Sequence, residues 1–231
     1  MAEIKLTIDG KPCTARPGQT ILEAAKASGI YIPALCHYEG LKPSGSCRIC
    51  TVKVNGRPAA ACTQPVAEGL VVETATPELE DMRRALVEML FVEGNHFCPS
   101  CEKSGNCELQ ALAYRFGMLV PRFPYQWSVR EIESVSPRLL MEHNRCIQCR
   151  RCVEAIRTPD GRRVFAAQER SGRLRIGVDP ELAAGLDEDT ARKAMAICPV
   201  GAILYKEVGF AVPIGRRKYD RSPIGSDIET K

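Results

Sequence analysis

The sequence predicts an α+β protein in three consecutive cysteine-bearing parts. Two observations lead to this. The first eighty residues alternate strand and helix signals, whereas the rest reads as short helices, turns and one hairpin. Eleven of the twelve cysteines gather at positions 36–62, 98–107 and 146–198 of the 231 residues.

Ile4-Lys-Leu-Thr-Ile8 alternates apolar and polar side chains, as a half-buried strand does. Asp9-Gly10 is a hairpin signal leading to a second strand near Cys13. Thr20 and Glu23 have capping-box spacing, so a helix starts at Thr20, and Gly29 supplies a left-handed residue at its end. After a loop carrying Cys36, Cys47 and Cys50, Thr51–Val54 alternates again. Asn55-Gly56 is a strong two-residue hairpin turn, and Leu70–Glu73 reads as a last strand. Strand, strand, helix, loop and further strands suggest a ubiquitin-like (β-grasp) sheet.

Thr76-Pro77 opens a helix with Pro at its first position. Leu79, Met82, Leu86, Met89 and Leu90 are expected to form its apolar face. Cys98–Cys107 lies in a loop before a helix over Glu108–Tyr114. Pro121, Pro124 and Pro137 predict an irregular crossing. A short helix follows near Val153, then a hairpin of Val164–Ala167 and Leu174–Val178, then a helix around Thr190–Ala196 that ends at Cys198-Pro199. The tail from Gly215 is basic, with few apolar residues, and is expected to be flexible or laid along a partner.

Composition excludes several classes. The net charge of +4 is too small for a nucleic-acid footprint. No stretch reaches the roughly 18 uncharged apolar residues of a membrane helix; the candidate at Ala85–Val92 is broken by Glu88. The start, MAEIKLTIDG, reads as a strand and not as a signal peptide. The expectation is a cytoplasmic protein without membrane or nucleic-acid partners. In a reducing compartment twelve cysteines point to metal ligation and not to disulfides.

The third group is the most specific. Cys146-x2-Cys149-x2-Cys152 with a remote Cys198-Pro199 is the bacterial ferredoxin pattern. Three thiolates on a tight loop each reach a different iron of one cubane, and a single such run predicts one [4Fe–4S] centre. Zinc usually takes paired CxxC units instead. Arg145, Arg150 and Arg151 flank this loop, either offsetting the thiolates or forming a solvated face, the more common case. The first group is Cys36, Cys47, Cys50 and Cys62. Its spacing alone leaves zinc open, and its strand–strand–helix setting favours [2Fe–2S]. The middle group, Cys98, Cys101 and Cys107, is one thiolate short of a cubane, and His96 stands two residues upstream. Imidazole suits iron and would raise the potential. Cys13, His37 and His143 read as a buried strand residue, a bystander and a loop residue.

Three such groups in this order resemble a known family. It comprises the N-terminal part of the large iron–sulfur subunit of respiratory NADH dehydrogenase, the corresponding part of iron-only hydrogenases, and diaphorase subunits of NAD-reducing hydrogenases. The resemblance runs to about Leu204. It implies a [2Fe–2S] β-grasp domain at 1–77 and a helical domain at 78–125 whose [4Fe–4S] cluster is held by His96, Cys98, Cys101 and Cys107. A ferredoxin-type [4Fe–4S] domain at 126–208 and a tail at 209–231 would follow. The run Leu90-Phe-Val-Glu-Gly-Asn-His-Phe-Cys-Pro-Ser-Cys101 with Ser104-Gly-Asn-Cys107 looks like the small diaphorase (gamma) subunits of NAD-reducing [NiFe] hydrogenases, whose sequences also stop soon after the last cysteine. The resemblance therefore implies an electron relay between an FMN- and NAD-binding diaphorase subunit and the small and large subunits of a [NiFe] hydrogenase. The chain's own sequence shows no dinucleotide fingerprint and no nucleophile–base pair. The same relay in an NAD-dependent formate dehydrogenase, or a zinc-stabilised interaction module, are the other readings. One departure stands out: the wider family has His-x3-Cys, and here Gly94 occupies the position of that histidine.

Overall fold

The computed structural model describes residues 3–134 and 136–229. Strands β1 (Ile4–Ile8) and β2 (Lys11–Ala15) form a hairpin around Asp9-Gly10, both residues with positive φ. Helix α1 (Ile21–Ala27) starts at the capping box, where Thr20 Oγ1 accepts from the Glu23 amide and Glu23 accepts from the Thr20 amide. Strands β3 (Thr51–Val54) and β4 (Arg57–Ala60) turn at Asn55-Gly56, and β5 (Val71–Glu73) closes the sheet. The strand order is β2-β1-β5-β3-β4, with β5 parallel to β1 and every other pair antiparallel. This is the β-grasp arrangement. Its core contains Leu6, Ile8, Ile21, Val52 and Val72, together with Cys13, Cys50 and Cys62.

Helix α2 (Pro77–Glu93) leaves this sheet, capped by Thr76 with Pro77 in its first turn. Its buried row is Leu79, Arg83, Val87 and Phe91, flanked by Glu88 and Val92; Met89 is exposed. The expected apolar face is thus rotated. The reason is two charged residues that the interior satisfies: Arg83 donates to the carbonyls of Ile49 and Thr51, and Glu88 pairs with Arg122 at 2.7 Å. Helix α3 (Glu108–Arg115) packs against α2.

The expected irregular crossing contains more order than its prolines suggest. Strands β6 (Ile132–Glu133) and β7 (Leu139–Glu142) pair antiparallel. Then come helix α4 (Arg151–Ala155), the hairpin of β8 (Phe165–Gln168) and β9 (Arg175–Val178), and helices α5 (Pro180–Ala184) and α6 (Glu188–Ile197). Strand β10 (Ile203–Tyr205) returns to pair with β7. A second continuous core runs from Leu35 and Ile49 through Val87, Leu112, Met141 and Ile156 to Ile197 and Ile203.

The tail corrects its expectation, because it packs on its own chain. Tyr219 N donates to Gly105 O at 2.9 Å and Lys218 N to Asn106 Oδ1 at 2.9 Å. Ile224 is buried in the second core. Arg115 donates to the Ile224 carbonyl and pairs with Glu229 of helix α7 (Ser226–Glu229). A chain that looks too polar for a core needs few apolar anchors, here Ile224 and Tyr219, when carbonyls and carboxylates find donors on the surface it crosses.

Candidate metal centres

The fold gathers the eleven cysteines into three sets. In the first, Cys36 comes from the loop after α1, Cys47 and Cys50 lie just before β3, and Cys62 stands two residues beyond β4. The Ala61 amide donates to the Cys50 carbonyl at 3.1 Å and draws the two edges together. The sulfurs interact directly. Hydrogen bonding from Cys47 and Cys62 holds the Cys36 thiol far below its ordinary pKa, and Cys62 lowers Cys50 to about 7. Cys47 and Cys62, which retain the shared protons, are raised. Gly45 and Arg48 have positive φ on either side of Cys47. Such alternation turns successive amides to one side and forms a concavity for an anion. A tetrathiolate iron centre is such an anion.

In the middle set, Cys98 starts a single 3-10 turn and Cys107 caps α3, its sulfur accepting from the Gln110 amide at 3.4 Å. Burial raises the Cys98 thiol and pushes Cys107 up to about 12. His96 folds back over Gly94. A Cβ at position 94 would lie 2.6 Å from His96 Nε2 and 2.7 Å from the Asn144 carbonyl. The imidazole therefore occupies the space into which a side chain at 94 would project, reached from two residues further along. The Phe91 ring lies tilted against it, 5.3 Å between centroids, and the Leu90 carbonyl lies beside the ring. Burial, with Arg145 and Arg130 nearby, lowers the His96 pKa to about 4. The ring is neutral at pH 7, the form that donates a lone pair to a metal.

In the third set, Cys146 and Cys149 lie on the loop entering α4, Cys152 lies in the first turn of α4, and Cys198 stands at the end of α6. The four sulfurs line one cavity walled by Met141, Ile147, Ile176, Val200 and Ile203. Gln148 and Arg150 both have positive φ. Backbone amides of Gln148, Arg151 and Val153 donate to the sulfurs of Cys146, Cys149 and Cys152. Burial raises all three thiols, Cys146 to about 11. Bound iron offsets this, because a metal-held thiolate is deprotonated outright. The donor chemistry of all three sets, soft sulfur in amide-lined pockets, fits iron–sulfur clusters. The geometry of a site for a single metal ion is not met by any group of three or more His, Cys, Asp or Glu among the described residues.

The middle and third sets share a wall. A Cβ on Gly201 would meet Cys101 Sγ at 2.5 Å. Glu108 N donates to Pro199 O at 2.8 Å, and Asn95 N to Asn144 O at 2.8 Å. Of the flanking arginines only Arg150 is exposed; Arg145 pairs with Glu102 at 2.8 Å, and Arg151 is buried. A solvated face is therefore the wrong description for Arg145 and Arg151. His143 is likewise buried, with Nε2 3.1 Å from Glu133 Oε1. Sequence reasoning had no signal for these burials beyond proximity to cysteines. A cavity of about 780 Å³ between α1 and the tail is lined by none of the cysteines.

Comparisons with known proteins follow this geometry. Residues 1–77 match a 2Fe-2S iron-sulfur cluster binding domain, 83–122 the NADH-ubiquinone oxidoreductase-G iron-sulfur binding region, and 136–204 the ferredoxin-like domain of NADH-quinone oxidoreductase subunit 3. The chain is 52% identical to the NAD-reducing hydrogenase HoxS subunit gamma of Cupriavidus necator, over 94% of this chain and 93% of that protein. It is 34% identical to the NADH-ubiquinone oxidoreductase 78 kDa subunit of Neurospora crassa, covering 90% of this chain but 28% of that protein. A solved NAD+-reducing [NiFe]-hydrogenase contains a chain that superposes with a TM-score of 0.89 at 42% identity, covering 96% of this chain and 95% of that one.

Proposed function

The chain belongs to the family of gamma subunits of NAD-reducing hydrogenases, and from that premise we propose that it passes single electrons along a row of one [2Fe–2S] and two [4Fe–4S] clusters. The carrying observation is the gathering of eleven thiols into three amide-lined sets within one continuous fold. The clusters supply the chemistry, taking up and releasing one electron each. The protein holds them, excludes water and sets their potentials through ligands, hydrogen bonds and nearby charge.

The assignment is Cys36, Cys47, Cys50 and Cys62 to the [2Fe–2S] centre, with Cys146, Cys149, Cys152 and Cys198 holding one cubane. Cys98, Cys101, Cys107 and His96 hold the other. Three features support His96: its ring lies where a side chain at 94 would project, it is neutral, and the Leu90 carbonyl stands ready to fix its tautomer.

The partners are an FMN- and NAD-binding diaphorase subunit and the small and large subunits of a [NiFe] hydrogenase, in the cytoplasm. This chain is the carrier, and the catalytic sites lie on those partners. Leu119, Val120, Trp127 and Val129, in the segment between α3 and β6, are exposed apolar side chains and support a partner covering this segment. No helix among the described residues is long and apolar enough to cross a membrane.

The test is anaerobic purification followed by iron, sulfide and zinc counts per chain. The assignment gives about ten irons and ten sulfides, from 2 + 4 + 4, with negligible zinc. NADH added with a co-purified, nickel-containing partner should then bleach the cluster absorbance. Two or three zincs and little iron would overturn the relay.

A further inference from the structure

We propose that Arg151 is the positioning residue of this relay: its guanidinium ties the third set to segments of the other two and raises the potential of the third cluster, with Glu108 as its counter-charge. The inference rests on the relay reading above.

Arg151 is 3% exposed. Its two terminal nitrogens donate to the two carboxylate oxygens of Glu108 at 2.8 and 2.6 Å. Nη1 also approaches the Ile197 carbonyl at 3.4 Å. The guanidinium carbon lies 5.4 Å from the centre of the Tyr38 ring. Each contact is a neighbour of a proposed ligand. Glu108 follows Cys107 of the middle set, Ile197 precedes Cys198 of the third, and Tyr38 is two residues past Cys36 of the first. Arg151 itself stands between Cys149 and Cys152. One side chain thus touches a ligand-bearing segment from every set. Only a planar fork meets a carboxylate through two nitrogens while its face covers an aromatic ring; the ammonium of lysine does not.

The charge has a second consequence. Reduction adds negative charge to a cluster whose thiolates are already anionic. A buried cation beside Cys149 and Cys198 favours the reduced form, and a half-buried carboxylate beside Cys107 opposes it. Water and salt screen the buried guanidinium weakly and the half-buried carboxylate somewhat more. Removing either member therefore exposes the other, and the two removals act in opposite directions. An ion pair that only fills space has no such signature, because its replacement changes stability without ordering the potentials.

The experiment is a redox titration of each cluster by electron paramagnetic resonance, on the full chain in its complex. Iron and sulfide are counted first, and an unloaded wild-type protein would sink the relay reading, not this one. With clusters present, Arg151→Met is expected to lower the midpoint potential of the third cluster and Glu108→Gln to raise it. Each shift should change the reduced-to-oxidised ratio at fixed potential about tenfold, or about 59 mV for one electron. The double variant returns toward the wild-type value. Arg151→Lys keeps the potential within a threefold ratio of wild type but weakens the magnetic coupling between clusters, since the charge remains and the fork is lost. If Arg151→Met fails to load, Glu108→Gln, which preserves shape, decides alone: a raised potential supports the proposal. Unchanged potentials, or shifts of the same sign in the two single variants, overturn it.

Discussion

The first cysteine set and the other two are built on different plans. All four thiols of the first set come from residues 36–62, around one sheet edge, and their sulfurs interact with one another. The middle and third sets are interleaved: Glu108 bonds to Pro199, Gly201 lies against Cys101, and Asn95 bonds to Asn144. A local loop gives a site that stands or falls alone. A shared wall lets damage to that wall reach two sites at once. The spacing of cysteines along the chain hides this difference, because it does not show which ligand-bearing segments pack on one another.

The largest expected break comes from Cys198→Ser. It removes a thiolate of the third set and disturbs the wall formed by Pro199–Gly201, so iron should fall from about ten to six or fewer. The matching change in the first set, Cys62→Ser, should cost only the two irons of the [2Fe–2S] centre. Iron analysis together with paramagnetic resonance separates these outcomes, and equal collateral loss from both would erase the distinction. His96→Ala comes next, with loss or alteration of the middle cluster alone. Gly94→Ala should do the same through a clash with the imidazole and the Asn144 carbonyl, while leaving the first set untouched.

Arg83 joins the two plans. Arg83→Met strips donors from the carbonyls of Ile49 and Thr51 and should lower stability by roughly 3 kcal/mol, measured by denaturant unfolding. The first cluster should loosen before the others, since Ile49 adjoins Cys50. Acid sharpens the comparison further. The His96 pKa is depressed from 6.5 to about 4, so the folded form binds fewer protons than the unfolded chain across that window. Its contribution to stability is full above pH 6.5 and falls as pH drops toward 4. The middle-cluster signal should accordingly hold steady from pH 8 to about 5.5; a midpoint near 6.5 would mean an exposed, titrating ring. The smallest effect is Thr20→Ala, which removes one side of the capping box for about 1 kcal/mol, with all three clusters retained.

Local signals carried much of the fold. The Thr20–Glu23 box, the Asn55-Gly56 turn and Pro77 in the first turn of α2 each act within four residues, so the sequence alone exposes them. The sheet of β6, β7 and β10 was illegible for the opposite reason: its strands have two to four residues, and Leu140 finds its partner Leu204 only through the tertiary fold. The face of α2 was misplaced because Arg83 and Glu88 are buried by partners 34 residues away. At the sites, the grouping of cysteines was readable from spacing. The path of His96 over Gly94 was not, since it depends on the Asn144 carbonyl closing that side. Arg151 looked like any loop cation until its carboxylate, ring and carbonyl contacts were placed.

The docked tail also bears on the timing of synthesis. Residues 217–229 lie across the loop that carries Cys101 and Cys107 and reach the Tyr31 side of the β-grasp sheet. A chain emerges from the ribosome N-terminus first, so the loop carrying Cys101 and Cys107 is made before the segment that lies across it. Docking of residues 217–229 is therefore a late step of folding, completed when Arg115 meets Glu229.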